Sequence, residues 1–253
     1  EEFKRIVLLE TNKIKIGIFY GNSGTGKSRL YQECLNSAKI NGYDIIDFSS
    51  ITNHTENLSE KEFIKKLLIS IYDISLDVLE QILKVSTFAN YNNSLLADRL
   101  EYHMLIEFLE KTDADIEKWI DKYLELILLK LSKKRLIITI DNIQFYDENI
   151  IDLLDNICMQ LMNIYPCNTK FLLVFNTDYI TRNSKVDLLL GKYASKKSVT
   201  YAKHVRGFEN SSECYEFLQE SFSIGNLFHK TEIDEISERL NKNPFYLEQM
   251  IYW

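Results

Sequence analysis

The stretch Tyr20-Gly21-Asn22-Ser23-Gly24-Thr25-Gly26-Lys27-Ser28 decides how this chain is read. Four residues separate Gly21 from Gly26-Lys27-Ser28, the spacing of a phosphate-binding loop between a strand and a helix. Each residue type has a mechanical reason. Gly21, Gly24 and Gly26 let the backbone take positive φ and turn its amides inward around phosphate oxygens. Lys27 is a flexible point cation with reach to the β- and γ-phosphates. Ser28 offers a hydroxyl to Mg²⁺. Asn22, Ser23 and Thr25 complete the loop, and Arg29 follows it into the helix. A Gly/Ser turn on a surface would share this composition but not its flanks. Ile14, Ile16, Ile18 and Phe19 read as a buried strand entering the loop, and Leu30, Tyr31, Cys34, Leu35 and Ala38 form a helical stripe leaving it. The expected ligand is a nucleoside triphosphate. The choice between ATP and GTP is not written in these residues.

With 253 residues, the chain is long enough for one large domain or a domain with a small satellite. A hydrophobic fraction of 45% is ordinary for a globular protein with a sizeable core. The net charge of −7 argues against broad binding to nucleic acid or to an anionic membrane. Cys34, Cys158, Cys167 and Cys214 show no metal-ligand spacing with the four histidines, which points to a reduced, cytoplasmic chain. No signal peptide is visible and no apolar run nears twenty residues, so no membrane segment is expected. The chain opens on Glu1 and stops at Trp253 within a helical pattern, as expected of a piece of something longer.

Taken in order, residues 5–10 make a short apolar approach where an adenine ring could rest, and the phosphate-loop unit fills 14–40. Asn41-Gly42 suits a left-handed helix end, and Tyr43–Phe48 reads as a second strand. From residue 58 to 132 the pattern is helical, an insert between the second and third strands. A capping box at Ser59-Glu60-Lys61-Glu62 precedes Phe63, Ile64, Leu67, Leu68 and Ile71 at helical spacing. A further segment starts at Ser75, and later helices cover about 94–111 and 113–132. His103, with no partner pattern, reads as an ordinary helix residue.

Leu136-Ile137-Ile138-Thr139-Ile140 followed by Asp141-Asn142 describes a central strand delivering a carboxylate to its C-terminal end. Asp141 is thus the expected magnesium-side acid, against the plainer reading of an acidic turn residue. A helix is expected over 147–164. Lys170–Phe175 reads as the fourth strand, ending in Asn176-Thr177-Asp178. Asn176 is the favoured γ-phosphate or water contact, Asp178 competes, and a plain turn is the alternative. A short helix and a fifth strand follow over 186–205, then helices alone over 210–222, 231–240 and from 244.

These residues resemble the AAA+ superfamily and, within it, the STAND class of signal-transduction ATPases. Three blocks carry the likeness: Tyr20–Leu30, Leu136–Glu148, and Arg239-Leu240-Asn241-Lys242-Asn243-Pro244-Phe245-Tyr246-Leu247-Glu248. The resemblance implies an α/β fold: a three-layer P-loop NTPase core with a five-stranded parallel sheet over residues 1–206, plus a small C-terminal helical lid over 207–253. It implies that the strand ending at Asn176 separates the P-loop and Walker-B strands, and that Pro244 lies near the adenine. It further implies ATP/ADP and Mg²⁺ as cofactors, with Ser28 and Asp141 holding the metal. Partners would be further copies of the chain in the ATP state and an unknown trigger, protein or nucleic acid. Relatives use this arrangement in signalling and in bacterial antiviral defence.

Two departures stand out. Asn142 takes the place where many relatives carry a second acid, which removes general-base help worth roughly 10²–10⁴-fold or passes it to Asp147 or Glu148. Lys242 and Asn243 flank the lid proline where a glycine is common. The catalytic set expected is Lys27, Asp141, Asn142, Asp147, Glu148 and Asn176, with Arg99, Arg182 and Arg206 available as arginines donated between subunits. The leading function is an ATP-dependent switch with slow hydrolysis. The alternatives are a non-hydrolysing nucleotide-binding module and a DNA-associated loader or initiator ATPase.

Overall fold

The computed structural model describes residues 14–48, 59–73, 99–112, 115–164, 166–222 and 229–251. In chain order the elements are β1 (Ile16–Gly21), α1 (Lys27–Ile40), β2 (Asp44–Asp47), α2 (Glu60–Tyr72), α3 (Arg99–Glu110), α4 (Ile116–Lys133) and β3 (Leu136–Ile140). They continue with α5 (Glu148–Asn163), β4 (Lys170–Asn176), α6 (Lys185–Ala194), β5 (Thr200–His204), α7 (Ser211–Phe222), α8 (Lys230–Arg239) and α9 (Pro244–Ile251). Short 3₁₀ turns follow β3 at Ile143–Phe145 and β4 at Thr177–Tyr179. The approach expected at 5–10, the loop at 51–57, the segment from Ser75 and residues 94–98 lie outside the described residues.

The strands form one parallel sheet in the order β2-β3-β4-β1-β5. β4 therefore stands between β1 and β3, as expected. Every residue of β3 and β4 is buried, which explains their unbroken apolar runs: a parallel strand covered on both faces has no polar side to show. The carboxyl ends of β1, β3 and β4 carry Gly21, Asp141 and Asn176, at the edge where open α/β sheets bind ligands.

The chain divides into two compact units. The first comprises Glu1–Asn41, Ile140–Phe145 and Leu172–Trp253; the second comprises Gly42–Thr139 and Tyr146–Phe171. This division differs from a boundary at residue 206. The phosphate loop and the C-terminal helices share a unit, and the helical insert joins β2 and most of β3 in the other.

In the first unit, β1 pairs with β5 from Ile16–Thr200 to Tyr20–His204. α1 turns Tyr31, Cys34, Leu35 and Ala38 into the core beside β1, each large apolar side chain contributing about 1.5–3 kcal/mol by leaving water. Its end falls at the expected pair: Asn41 is the cap, at a φ of −87°, and Gly42, at φ 72°, makes the left-handed step. α7, α8 and α9 close around Cys214, Leu218, Ile233 and Leu247. β1 begins two residues later than the apolar pattern suggested, because Lys15 and Ile16 both donate to Val199 O before pairing settles.

In the second unit, β2 and β3 pair from Asp44–Leu136 to Asp47–Thr139. Ser59 caps α2 as its sequence predicts, its Oγ accepting from Glu62 N at 3.2 Å. α2 packs on α4 and α5 through Phe63, Ile64, Leu67, Leu68 and Ile71. Trp119 anchors the insert by donating to Met104 O at 3.2 Å. His103 is exposed on α3, an ordinary helix position. The four cysteines are all buried thiols, none of them in a disulfide.

Candidate functional site

The loop after β1 is shaped by glycines where other chain segments crowd it. A Cβ on Gly21 would stand 2.1 Å from Val205 O, and β5's end holds this place by Val205 N donating to Tyr20 O at 2.7 Å. Tyr20 also stacks on His204, ring centroids 4.9 Å apart. Gly24, at φ 75°, would drive a Cβ to 2.6 Å from Asn243 Oδ1 and 2.8 Å from Phe245 Cβ. Only glycine satisfies both the left-handed backbone and that space.

Lys27 opens α1, and its Nζ donates back to Asn22 O. Burial lowers its pKa, while the carboxylates of Asp178 and Asp141 pull it up. Thr25 Oγ1 also donates to Asn22 O, at 2.9 Å. Ser28 Oγ donates to Asp141 Oδ2 at 3.3 Å, across 113 residues of chain. Among the described residues no group of three or more His, Cys, Asp or Glu side chains could hold a metal. The hydroxyl and carboxylate of Ser28 and Asp141 suit a hard cation of Mg²⁺ type, which keeps waters and takes its remaining oxygens from phosphates.

The carboxyl ends of β3 and β4 are joined by amides. Asp141 Oδ1 accepts from Asn142 N at 2.7 Å, and Asn142 sits at φ 55°, a left-handed position that Asn tolerates better than most residues. Gln144 Nε2 donates to Asn142 Oδ1 at 3.2 Å, while Gln144 Oε1 accepts from Asn176 N at 3.0 Å. Asn176 Nδ2 reaches Ser23 Oγ at 3.4 Å, Thr177 Oγ1 donates to Asn22 Oδ1 at 2.9 Å, and Asp178 Oδ2 accepts from Ser23 N at 2.6 Å. Three consecutive residues therefore hold the tip of the loop.

The start of α9 docks on the same loop. Asn243 Nδ2 donates to Ser23 O at 2.9 Å, Phe245 N to Gly24 O at 3.3 Å, and Phe245 N also to Asn243 Oδ1 at 3.0 Å. A cavity of about 420 Å³ is lined by Lys27, Ser28, Arg29, Asn142, Asn176 and Pro244, among others. A second cavity of about 400 Å³ lies along Asn22, Asp178, His204, Arg206, Asn241 and Tyr246.

The structure thus gathers Gly21–Arg29, Asp141, Asn142, Asn176 and Pro244 in one unit. Asp147 and Glu148 belong to the second unit, where they cap and open α5, both exposed. Arg182 and Arg206 are exposed, Arg206 donating to His204 Nδ1 at 3.2 Å; the Arg99 side chain is outside the described residues. Three contributors escape a reading of the sequence alone. Asn243 and Phe245 flank the quoted proline, so a signal lay beside them. Gln144 had none, since an amide two residues past an acid has no pattern of its own.

No protein-family model and no curated protein matches the chain. Among solved structures, a Walker-type ATPase of Pyrococcus abyssi is similar with a TM-score of 0.53 and 20% identity, over 98% of this chain and 64% of that one. AMPPCP-bound DnaA from Aquifex aeolicus follows at TM-score 0.49 and 14% identity, over 99% and 58%. The ORC2 protein of Aeropyrum pernix in its ADP form gives 0.42 and 13%, over 91% and 53%. The chain spans less than two thirds of the length of these structures. The first likeness, with the five-stranded parallel sheet and the helices on it, shows the fold: the three-layer α/β fold of the P-loop NTPases.

Proposed function

We propose that this chain is the ATP-binding and slowly hydrolysing module of a STAND-type switch. The observation that carries the reading is the meeting of Ser28 and Asp141, a hydroxyl and an acid brought to 3.3 Å at the end of a glycine loop whose lysine is buried. In this reading Lys27 and the loop amides hold the phosphates, Ser28 and Asp141 hold Mg²⁺, Asn176 contacts the γ-phosphate, and Pro244 lies by the adenine. Bound Mg²⁺ supplies positive charge to the phosphate oxygens. The protein's share is positioning and charge stabilisation around the transferring group. Residues 1–206 act as the ATPase core and 207–253 as its lid. The ATP state assembles with further copies, and a trigger of protein or nucleic acid acts through additional domains, in a cytoplasmic signalling or antiviral role. Replacing Lys27 by Ala should weaken ATP binding by about 10–100-fold, the worth of hydrogen bonds to a charged group. Binding as tight as the parent's in a calorimetric titration would remove the central assignment.

A second reading is favoured by Asn142, which stands where an acid would polarise water. Nucleotide then acts as a structural element joining the start of α9 to the loop. Steady ATP turnover that disappears in Asp141→Ala rules this reading out; its absence in the parent favours it.

A further inference from the structure

The amide chain at the ends of β3 and β4 has a fixed polarity, and this polarity says what Asn142 offers to a ligand. The backbone N–H of Asn176 can only donate. The Gln144 atom that meets it at 3.0 Å must therefore be the side-chain oxygen, Oε1. Gln144 then has only its NH₂ left to turn toward Asn142, and the group it meets at 3.2 Å must be the Asn142 oxygen. With that oxygen engaged, Asn142 has its own NH₂ to present, and this NH₂ makes no hydrogen bond among the described residues, although the Asn142 backbone N–H and C=O are both bonded. Asn142 lines the cavity that also holds Lys27, Ser28 and Asn176. One backbone donor thus sets the orientation of two amides in series.

We propose that Asn142 is a specificity-determining donor for the terminal phosphate of a bound nucleoside triphosphate, and that Gln144 is its positioning residue. The inference rests on the nucleotide-binding reading above and deepens it. An acid at this place would accept a proton from water and repel the γ-phosphate. An NH₂ held forward does the opposite: it adds a donor to the phosphate-binding set and gives water no acceptor. The site then favours keeping a triphosphate over cleaving it. The left-handed backbone at Asn142 turns its side chain away from a regular strand path, and the Asn142 N–H bond to Asp141 Oδ1 ties that turn to the magnesium-side acid.

The test compares two near-isosteric variants with the parent, measuring affinities for ADP and for a non-hydrolysable ATP analogue with Mg²⁺. Asn142→Asp keeps an oxygen for Gln144 and puts a second oxygen toward the cavity; Asp tolerates the left-handed backbone about as Asn does. Gln144→Glu still accepts from Asn176 N–H but can no longer donate to Asn142, which must turn its NH₂ inward and its oxygen to the cavity. Each variant should lower the ratio of analogue affinity to ADP affinity by about tenfold, the worth of one hydrogen bond to a charged group. Gln144→Leu, which removes the constraint without adding charge, should lower the ratio less than either. Both nucleotides binding with an unchanged ratio in Asn142→Asp and Gln144→Glu would overturn this inference and leave nucleotide binding intact. A parent that binds neither nucleotide would overturn both.

Discussion

At the scale of single residues, Lys170 is the boldest placement in the chain. It is the first residue of β4 and only 4% exposed. Burial brings its pKa down from 10.5 to about 8, with Arg135 adding to the fall and Cys167 opposing it. The sign of the consequence is fixed. Between about 8 and 10.5 the unfolded chain binds a proton that the folded chain has released, so this side chain's contribution to stability rises with pH across that window. Lys170→Met removes the titration while keeping the length. Below pH 8 the variant should exceed the parent in stability by up to about 3 kcal/mol, an advantage that shrinks toward pH 10.5. Urea denaturation at pH 7 and pH 10 measures it; an equal difference at both would count against the buried amine. Residues of this kind show where sequence reading stops. Lys27, Ser28 and Asp141 were legible because local spacing and a strand pattern fix their places. Lys170 and Gln144 were not, because their roles depend on neighbours tens of residues away in the chain.

At the scale of elements, the turn between α8 and α9 combines strain with close packing. Asn241 and Lys242 are both left-handed, at φ 52° and 53°, although neither is glycine. One local and one long-range bond hold them there: Lys242 N donates to Ser237 O at 2.7 Å, and Phe208 N donates to Lys242 O at 2.8 Å. Gly207 supplies the space, since a Cβ on it would lie 2.4 Å from Lys242 O. A non-glycine residue in this conformation costs about 1–2 kcal/mol. Lys242→Gly relieves that cost and forfeits the pair with Glu238 at 2.9 Å, which solvent screens. The expected net gain is about 0.5–1 kcal/mol, read as a rise in Tm. Gly207→Ala should lose about 1–3 kcal/mol by overpacking the same point. The two variants moving stability in the same direction would contradict the geometry. The sequence marked all three C-terminal helices because their apolar spacing is periodic. It could not show the left-handed pair, because Asn241 and Lys242 take that conformation only with Gly207 opposite. One element end slipped for a similar reason: the bonds to Val199 O delay the start of β1.

At the scale of the whole molecule, the residues that would hold nucleotide all fall within the first of the two units. A ligand present at a hundred times its dissociation constant adds about 2.7 kcal/mol to whatever must unfold to release it. Hydrogen exchange with a saturating ATP analogue should therefore raise protection in β1, α1, β5 and α7, with a smaller rise in α2, α4 and α5. An equal rise everywhere would mean that the two units open together as one cooperative body. The strands at this scale were legible in advance because buried parallel strands are long apolar runs, whereas the place of β4 between β1 and β3 came from the resemblance and not from those runs. The partition into units was not legible, since it follows which segments contact one another after the chain has returned across the sheet.

The buried cysteines give each unit its own clock. Cys34 and Cys214 belong to the first unit, Cys158 and Cys167 to the second. Burial pushes the Cys34 thiol up to about 12, so at neutral pH it is both shielded and protonated, and a thiolate-seeking reagent must wait for the structure to open. The rate at which each cysteine is alkylated, read by mass spectrometry of the peptides that carry it, times the opening of its own surroundings. Nucleotide that slows labelling at Cys34 and Cys214 while leaving Cys158 and Cys167 unchanged would let unmodified protein report, without any attached probe, where binding is felt.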